Sequence, residues 1–439
     1  MKSPEINRIK KAQEKILISQ MKKNENIKDI VKIVETFLIK NQLLCYGGTA
    51  INNLLPKKYR FYSDDKDIPD YDFFSTTPIK HAKQLADLFF ENGFSDVEAK
   101  VGVHNGTYKV YVNFIGIADI TYIEPEIFKE LKSESIEKQN ILYVPSNYLL
   151  MMMYNELSRP EGNISRWEKV FNRFSLFVKH YPIKVTKKCI NKNIEPDKDD
   201  LKIFRIIKDI GIKDKVVFFG GYARLLYSKY DKSMYSKIPD FHIISSNYEE
   251  TALKIYADLR KFYKNIKIII HENIGEHIPE NVEIIVNDRT VAFVYDVFPG
   301  VCYNYNTIEG NINVATIDTI LSIYIMFTYV NKTTYDKHKL LCACKSLFRI
   351  QNKYKLKNIK ILRRFNLPCI GYQITLRDLK TIKTIKFYEL KSKNRTKEYE
   401  KWFMSYVPYQ QKKNELIDYD NNKANILTKL KEYIKIYKK

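Results

Sequence analysis

Asp70 and Asp72 stand two residues apart in Pro69-Asp70-Tyr71-Asp72-Phe73-Phe74-Ser75, and Asp119 lies in the apolar run Phe114-Ile-Gly-Ile-Ala-Asp119-Ile. Residues i and i+2 of a strand project from the same face. The first two carboxylates therefore project side by side, where they repel each other unless a cation lies between them. Hard oxygen donors at this spacing suit Mg²⁺ or Mn²⁺. Three carboxylates can hold two such ions about 3.5–4 Å apart, one activating an attacking hydroxyl and the other carrying a triphosphate. Gly47-Gly48-Thr49 supplies the complementary part. Two glycines let backbone approach phosphate oxygens, the helix that begins there aims N–H groups at an anion, and the Thr49 hydroxyl adds a donor.

The elements that must position these groups are legible as hydrophobic patterns. Leu43 to Leu55 reads as strand, tight turn and helix, and Pro69 to Ser75 as a loop entering a strand. Pro78 to Asn92 reads as a helix stopped at Gly93. Val110 to Ile123 reads as one long strand carrying Asp119, and 146–158 and 164–180 as helices. Residues 5–40 read as one or two amphipathic helices, with Ile6, Ile9, Ile16, Leu17 and Met21, then Ile30, Val31, Val34 and Leu38, on their apolar stripes.

The same order of motifs occurs twice. Val217-Phe-Phe-Gly220-Gly221-Tyr222 echoes Leu44-Cys-Tyr-Gly47-Gly48-Thr49, and Ile238-Pro-Asp240-Phe-His242-Ile-Ile-Ser245 echoes Ile68-Pro-Asp70-Tyr-Asp72-Phe-Phe-Ser75. Val294-Tyr-Asp296-Val297 echoes Ala118-Asp119-Ile120, and Val314-Ala-Thr-Ile echoes Val144-Pro-Ser-Asn. Gly48 precedes Asp70 by 22 residues and Gly221 precedes Asp240 by 19. Four echoes in one order predict a duplicated domain whose copies differ where chemistry is decided: Asp-Tyr-Asp against Asp-Phe-His. The chain then divides into a helical segment, 1–40, a catalytic domain, 41–185, a degenerate copy, 200–345, and a basic extension, 346–439.

The formal net charge of the 439 residues is +23, which attracts polyanions, chiefly nucleic acid. Residues 351–439 hold 23 of the Lys and Arg against 8 of the Asp and Glu. Lys353, Lys355, Lys357, Lys360, Arg363 and Arg364 form one basic run; Lys391, Lys393, Arg395 and Lys397 form another beside Tyr388, Tyr399 and Trp402. Cations along a backbone with aromatics for base stacking suit single-stranded RNA. No stretch approaches the roughly 20 apolar residues of a membrane span, and the polar N-terminus lacks the apolar core of a signal peptide. The six cysteines show no CxxC pair, so reduced thiols are expected. His338, Cys342 and Cys344 share a helical neighbourhood but lack zinc-site spacing.

Gly47-Gly48-Thr49, Asp70-x-Asp72 and Asp119 resemble the signature of the DNA polymerase beta-like nucleotidyltransferase superfamily. Tyr46-Gly-Gly-Thr-Ala-Ile-Asn, Ile68-Pro-Asp-Tyr-Asp-Phe-Phe-Ser and Gly106-Thr-Tyr-Lys-Val-Tyr-Val-Asn-Phe are similar to one branch, the poly(A) polymerase catalytic subunits of large cytoplasmic DNA viruses, most of all those of giant amoebal viruses. The resemblance implies a mixed α/β (α+β) fold of tandem nucleotidyltransferase-like domains, the first active and the second degenerate, with flanking helices. It implies transfer of AMP from ATP to the 3′ end of RNA, with Asp70 and Asp72 on two Mg²⁺ or Mn²⁺ ions, Asp119 nearest the attacking hydroxyl, and Gly47, Gly48 and Thr49 on the triphosphate. Arg166 and Lys169, three residues apart, could reach the triphosphate from one helix face. It also implies the host cytoplasm, in viral factories or packaged particles. A homodimer would enlarge the basic surface. Base preference is not legible in these residues, so another terminal transferase such as a uridylyltransferase stays open, as does an inactive RNA-binding scaffold, against which the three retained acids argue.

Overall fold

The computed structural model describes residues 5, 8–9, 11–13, 27–62, 70–185, 187–189, 197–231, 240–330, 335–355, 357, 359–413 and 423. Ile6, Ile16, Leu17, Met21, Ile68, Pro69, Ile238 and Pro239 lie outside the described residues, as does nearly all of 414–439. The chain is a mixed α/β protein with two mixed sheets in two compact units.

The first unit takes Met1–Ile123, Glu137–Tyr143 and Leu379–Lys439. Its strands are β1 (Leu44–Tyr46), β2 (Tyr71–Ser75), β3 (Val97–Val101), β4 (Thr107–Val112), β5 (Ile115–Tyr122), β6 (Ile136–Lys138), β7 (Ile141–Tyr143) and β16 (Ser405–Tyr406). They are ordered β16-β3-β4-β5-β2-β1-β7-β6. Pairings β2–β5 and β1–β7 are parallel, and β1–β2, β3–β4, β4–β5 and β16–β3 antiparallel. Helices α1 (Ile27–Asn41) and α2 (Gly47–Leu54) flank β1 in sequence, and α3 (Pro78–Glu91) follows β2. α3 starts with Pro78 at its first turn and buries Ala82, Leu85, Ala86 and Phe89. That i, i+3, i+4, i+7 stripe is the one the sequence shows, and full burial of a Leu or Phe is worth roughly 1.5–3 kcal/mol. The chain reverses at Gly93, whose φ is +91°, a conformation glycine adopts without a steric penalty.

The long strand expected from Val110 to Ile123 is instead a hairpin. Asn113 and Phe114 have φ of +51° and +65° and turn the chain between β4 and β5. Two consecutive left-handed residues make the tight connection whose twist suits antiparallel strands. The sequence hides it, because the apolar alternation continues through Phe114, which is 88% exposed.

The second unit takes Glu124–Ile136 and Val144–Asp378. Its strands are β8 (Val217–Phe218), β9 (Phe241–Ile244), β10 (Ile266–His271), β11 (Asn281–Val286), β12 (Arg289–Tyr295), β13 (Cys302–Ile308), β14 (Ile312–Ala315) and β15 (Cys369–Gly371), ordered β10-β11-β12-β9-β8-β14-β13-β15. Seven positions of this order, β10 to β13, correspond one for one to the order β3 to β6 of the first sheet, and the echoed segments fall on or beside corresponding strands. β15 and β16 are additions contributed by the segment after 346, which therefore lends an edge strand to each sheet. Helices α4 (Pro125–Ser133), α5 (Ser146–Leu157) and α6 (Trp167–His180) belong to the second unit, although they precede residue 185. The reason is packing: α5 lies against α10 (Ile317–Phe327), and α10 against α11 (Lys337–Tyr354). Helices α7 (Lys198–Lys213), α8 (Gly221–Tyr227) and α9 (Tyr248–Arg260) complete the described helices of the copy. Every residue of α10 is buried. No helix of the described residues is long and apolar enough to cross a membrane.

A polar group inside that packing anchors the basic segment. Asp318 of α10 is 2% exposed and takes two hydrogen bonds from Arg364, 2.6 Å each. Gln351 donates to Asp318 at 3.2 Å and accepts from Tyr154 at 2.9 Å. Arg364, expected in a basic RNA-facing run, is instead a buried counter-ion. Lys360 of the same run pairs with Glu309 at 2.6 Å. The expectation of reduced thiols is also overturned: Cys189–Cys342 and Cys302–Cys369 are disulfides, leaving Cys45 and Cys344 buried and free. Their partners are 153 and 67 residues apart, separations that only tertiary folding closes.

Arg364→Met leaves Asp318 buried without its counter-charge, which should lower unfolding free energy by about 3–5 kcal/mol in denaturant titration. Adding Asp318→Leu should recover most of that loss. Alkylation of the unreduced, denatured chain should modify two cysteines by mass, and six after reduction.

Candidate active site

The turn from β1 into α2 is built by an apolar strand that cannot continue. Leu44 and Cys45 are fully buried, and Gly47 then takes φ +72°. A Cβ at Gly47 would collide with the carboxylate of Asp72, so glycine is required here by both backbone conformation and close approach. The first turn of α2 receives no side-chain cap, leaving its leading N–H groups oriented for an anion. The far end of α2 is held in place. Asn52 Oδ1 accepts from the N–H groups of Phe61 and Tyr62 at 2.9 Å each, and Lys138 donates to the Asn53 carbonyl at 2.6 Å.

The three carboxylates meet where β2 runs parallel to β5. Asp72 and Asp119 are direct partners in that ladder, and Asp70 precedes β2 by one residue on the side of Asp72. Burial raises the Asp70 pKa, the Asp119 charge raises it further, and Lys109 partly offsets both. Asp70 and Asp119 thus act on one another, as carboxylates sharing one site must. Thr49 donates to the backbone carbonyl of Asp70 at 2.7 Å and is 3% exposed. Its hydroxyl holds the residue that carries the first carboxylate. Behind the site, Tyr71 donates to Glu35 at 2.6 Å, and Tyr46 stacks on Phe74.

Lys109 was not among the sequence candidates. It lies on β4 directly opposite Asp119, with Nζ 2.6 and 2.5 Å from the two carboxylate oxygens. Burial disfavours the ammonium, but the hydrogen bond and charge of Asp119, with the charge of Asp70, outweigh it and raise the Lys109 pKa. The pairing follows from the β4–β5 hairpin, which a reading of Val110–Ile123 as one strand conceals. An oxygen-only set of three carboxylates with one ammonium keeps a net negative charge and fits hard divalent ions.

Arg166 and Lys169 lie in the second unit. Arg166 Nε sits 3.1 Å from Glu156, and Lys169 has its pKa lowered by Arg173, then by burial and Arg166, against Glu156. Trp167 donates to the Glu156 carbonyl at 2.9 Å and packs on Phe365, a packing role rather than a stacking platform.

The second copy keeps the double glycine, with Gly220 at φ −83° where Gly47 is left-handed, and keeps one acid of the strand pair, Asp240. A Cβ at Gly220 would collide with His242, and one at Gly221 with Asp240. His242 occupies the register position of Asp72, but its partner on β12 is Phe293. Asp296, which the sequence echo aligned with Asp119, lies three residues further on, past the end of β12, where its carboxylate accepts from the Val297 N–H at 2.7 Å. Opposite Phe293 on β11 stands Glu283, in the place of Lys109. The surviving Asp240 is met by His242 at 3.2 Å and Arg224 at 3.4 Å. Burial alone would raise its pKa, but His242 and Arg224 hold it well below the usual carboxylate range.

Residues 32–163, which include all three carboxylates, match the family described as Poly(A) polymerase catalytic subunit. A relative from Acanthamoeba polyphaga mimivirus, named for the same subunit, is 25% identical over 79% of this chain and 67% of its own length. One from African swine fever virus (strain Badajoz 1971 Vero-adapted) is 31% identical over 36% of this chain, which spans only 34% of that relative. The Megavirus polyadenylate synthase crystal structure superposes with a TM-score of 0.77 at 21% identity, covering 94% of this chain and 87% of that one.

Asp240→Asn should destabilise the protein at neutral pH, because a carboxylate with a depressed folded pKa stabilises the fold above its unfolded pKa. In urea titrations across pH, the gap from the parent protein should persist down to the ordinary carboxylate range and close only below it.

Proposed function

With this chain a member of the poly(A) polymerase catalytic subunits of large DNA viruses, a nucleotidyltransferase family, we propose that it adds AMP from ATP to the 3′ end of RNA without a template. The observation that carries this reading is the register that puts Asp72 opposite Asp119, beside a glycine turn whose Gly47 admits no side chain. Asp70, Asp72 and Asp119 would hold two Mg²⁺ or Mn²⁺ ions, which when bound would make the attacking hydroxyl more acidic and compensate charge on the leaving oxygen. The chain's own groups do the rest. Asp119 orients the 3′-hydroxyl, whose proton passes to that carboxylate or to water as its oxygen forms a bond to the α-phosphorus of ATP, the bond from that phosphorus to the bridging β-phosphate oxygen breaks, and pyrophosphate leaves. Gly47, Gly48 and Thr49 face the triphosphate at the start of α2, and the Thr49 hydroxyl also keeps Asp70 in place. Arg166 and Lys169 enter this proposal as triphosphate contacts on the family resemblance.

The copy spanning 200–345 is a degenerate domain, since Asp240 is answered by Arg224 and His242 in place of a metal. RNA follows the basic segment after 346. Lys391, Lys393, Arg395 and Lys397 are exposed there, and so is Tyr388, at 65%. A homodimer and a site of action in the host cytoplasm, in viral factories or packaged particles, complete the proposal.

Primer extension on single-stranded RNA, with each nucleoside triphosphate alone and Mg²⁺ or Mn²⁺, should give a long ladder with ATP only. Extension with UTP would move the chain to another terminal transferase. Asp70→Ala with Asp72→Ala should lower the rate by about a thousandfold or more while RNA binding persists, on the scale of lost metal-ion catalysis. Undiminished extension would remove the site assignment.

A further inference from the structure

Lys109 grips both oxygens of Asp119, yet the proposed reaction asks that same carboxylate to ligate a metal. An Mg²⁺ or Mn²⁺ ligand oxygen must approach to about 2.0–2.2 Å, which an oxygen already engaged by an ammonium reaches only when the ammonium yields. The geometry points to Lys109 as a positioning residue that keeps Asp119 aimed and competes with the bound metal for it, setting metal affinity below what three bare carboxylates would give. This inference rests on the reading of Asp119 as a metal ligand.

Three observations support it. Lys109 and Asp119 are cross-strand partners in an antiparallel ladder, so their encounter is fixed by backbone register. Their side chains are only 30% and 16% exposed, so solvent screens the pair less than it screens a surface ion pair. In the second copy the corresponding pair is Glu283 and Phe293. Where the carboxylate is gone the lysine is gone too, and Glu283 turns to His271 at 2.8 Å and to Thr290. A lysine serving only the sheet would have no reason to disappear with the acid it faces.

The test is a Mn²⁺ titration of the full chain, followed by the electron paramagnetic resonance of free Mn²⁺, with melting in EDTA to confirm folding. Lys109→Met should bind Mn²⁺ about tenfold more tightly than the parent, equivalent to about 1.4 kcal/mol, and extend primer more slowly at saturating metal. Lys109→Arg, which keeps the charge, should stay near parent affinity. In an Asp119→Asn background, Lys109→Met should raise affinity clearly less than it does in the parent, since only its longer-range action on Asp70 is left to remove. Should Lys109→Met not fold, Lys109→Gln is read by the same criteria. Unchanged or weaker Mn²⁺ binding in a folded, uncharged variant overturns the role of Lys109 and leaves the metal site standing. Identical Mn²⁺ binding by the parent and Asp119→Asn overturns the ligand assignment and the inference together.

Discussion

Carboxylates forced together at the junction of β2 and β5 are the constraint on which the first unit is organised. A parallel pairing sets Asp72 beside Asp119, Asp70 is close enough to feel Asp119, and like charges at such range oppose their own ionisation. The fold tolerates this because the backbone around the acids has little freedom. Gly47 closes against Asp72, Thr49 holds the Asp70 carbonyl, and Lys109 takes hold of Asp119. Gly47 and Thr49 act from α2 and Lys109 acts from β4, so each acid-bearing residue is held by a neighbouring element.

The second copy shows the same scaffold once that constraint is relaxed. Seven strands keep their order, and the double glycine still packs closely, Gly220 against His242 and Gly221 against Asp240. Only Asp240 remains, with Arg224 and His242 beside it. A buried or half-buried charge needs a partner. In the first copy Lys109 partners Asp119; in the second, Arg224 and His242 partner Asp240. Fold and chemistry separate here, since strand order survives the loss of the donor set.

The segment after 346 links the chain's end to both sheets. β15 extends the second, and β16 extends the first at Ser405 and Tyr406. Further contacts within the first unit, such as Tyr406 with Asp87 at 2.7 Å and Gln411 with the Val97 N–H at 3.1 Å, hold that return in place. Its basic residues serve different ends: Arg364 neutralises a buried acid, whereas Lys391 to Lys397 remain exposed.

Much of this was legible in order and period alone. The glycine turn, Asp70, Asp72 and Asp119, the helix at Pro78–Glu91 and the duplication are all local patterns repeated at similar spacing, and local pattern is what a linear sequence records. What it could not record is which strand lies beside which, and in what register. A left-handed turn at Asn113–Phe114 without glycine split one apparent strand into two and brought Lys109 to Asp119. A three-residue difference in register moved Asp296 away from the position of Asp119 and put Phe293 there. Cysteines 153 and 67 residues apart, and a surface-looking Arg364 that is buried on Asp318, belong to the same class. Residue type and spacing decide which chemistry a chain can carry, because they are covalent facts. Which charges finally face one another was decided only by tertiary structure, because register and long-range closure arise when distant segments pack.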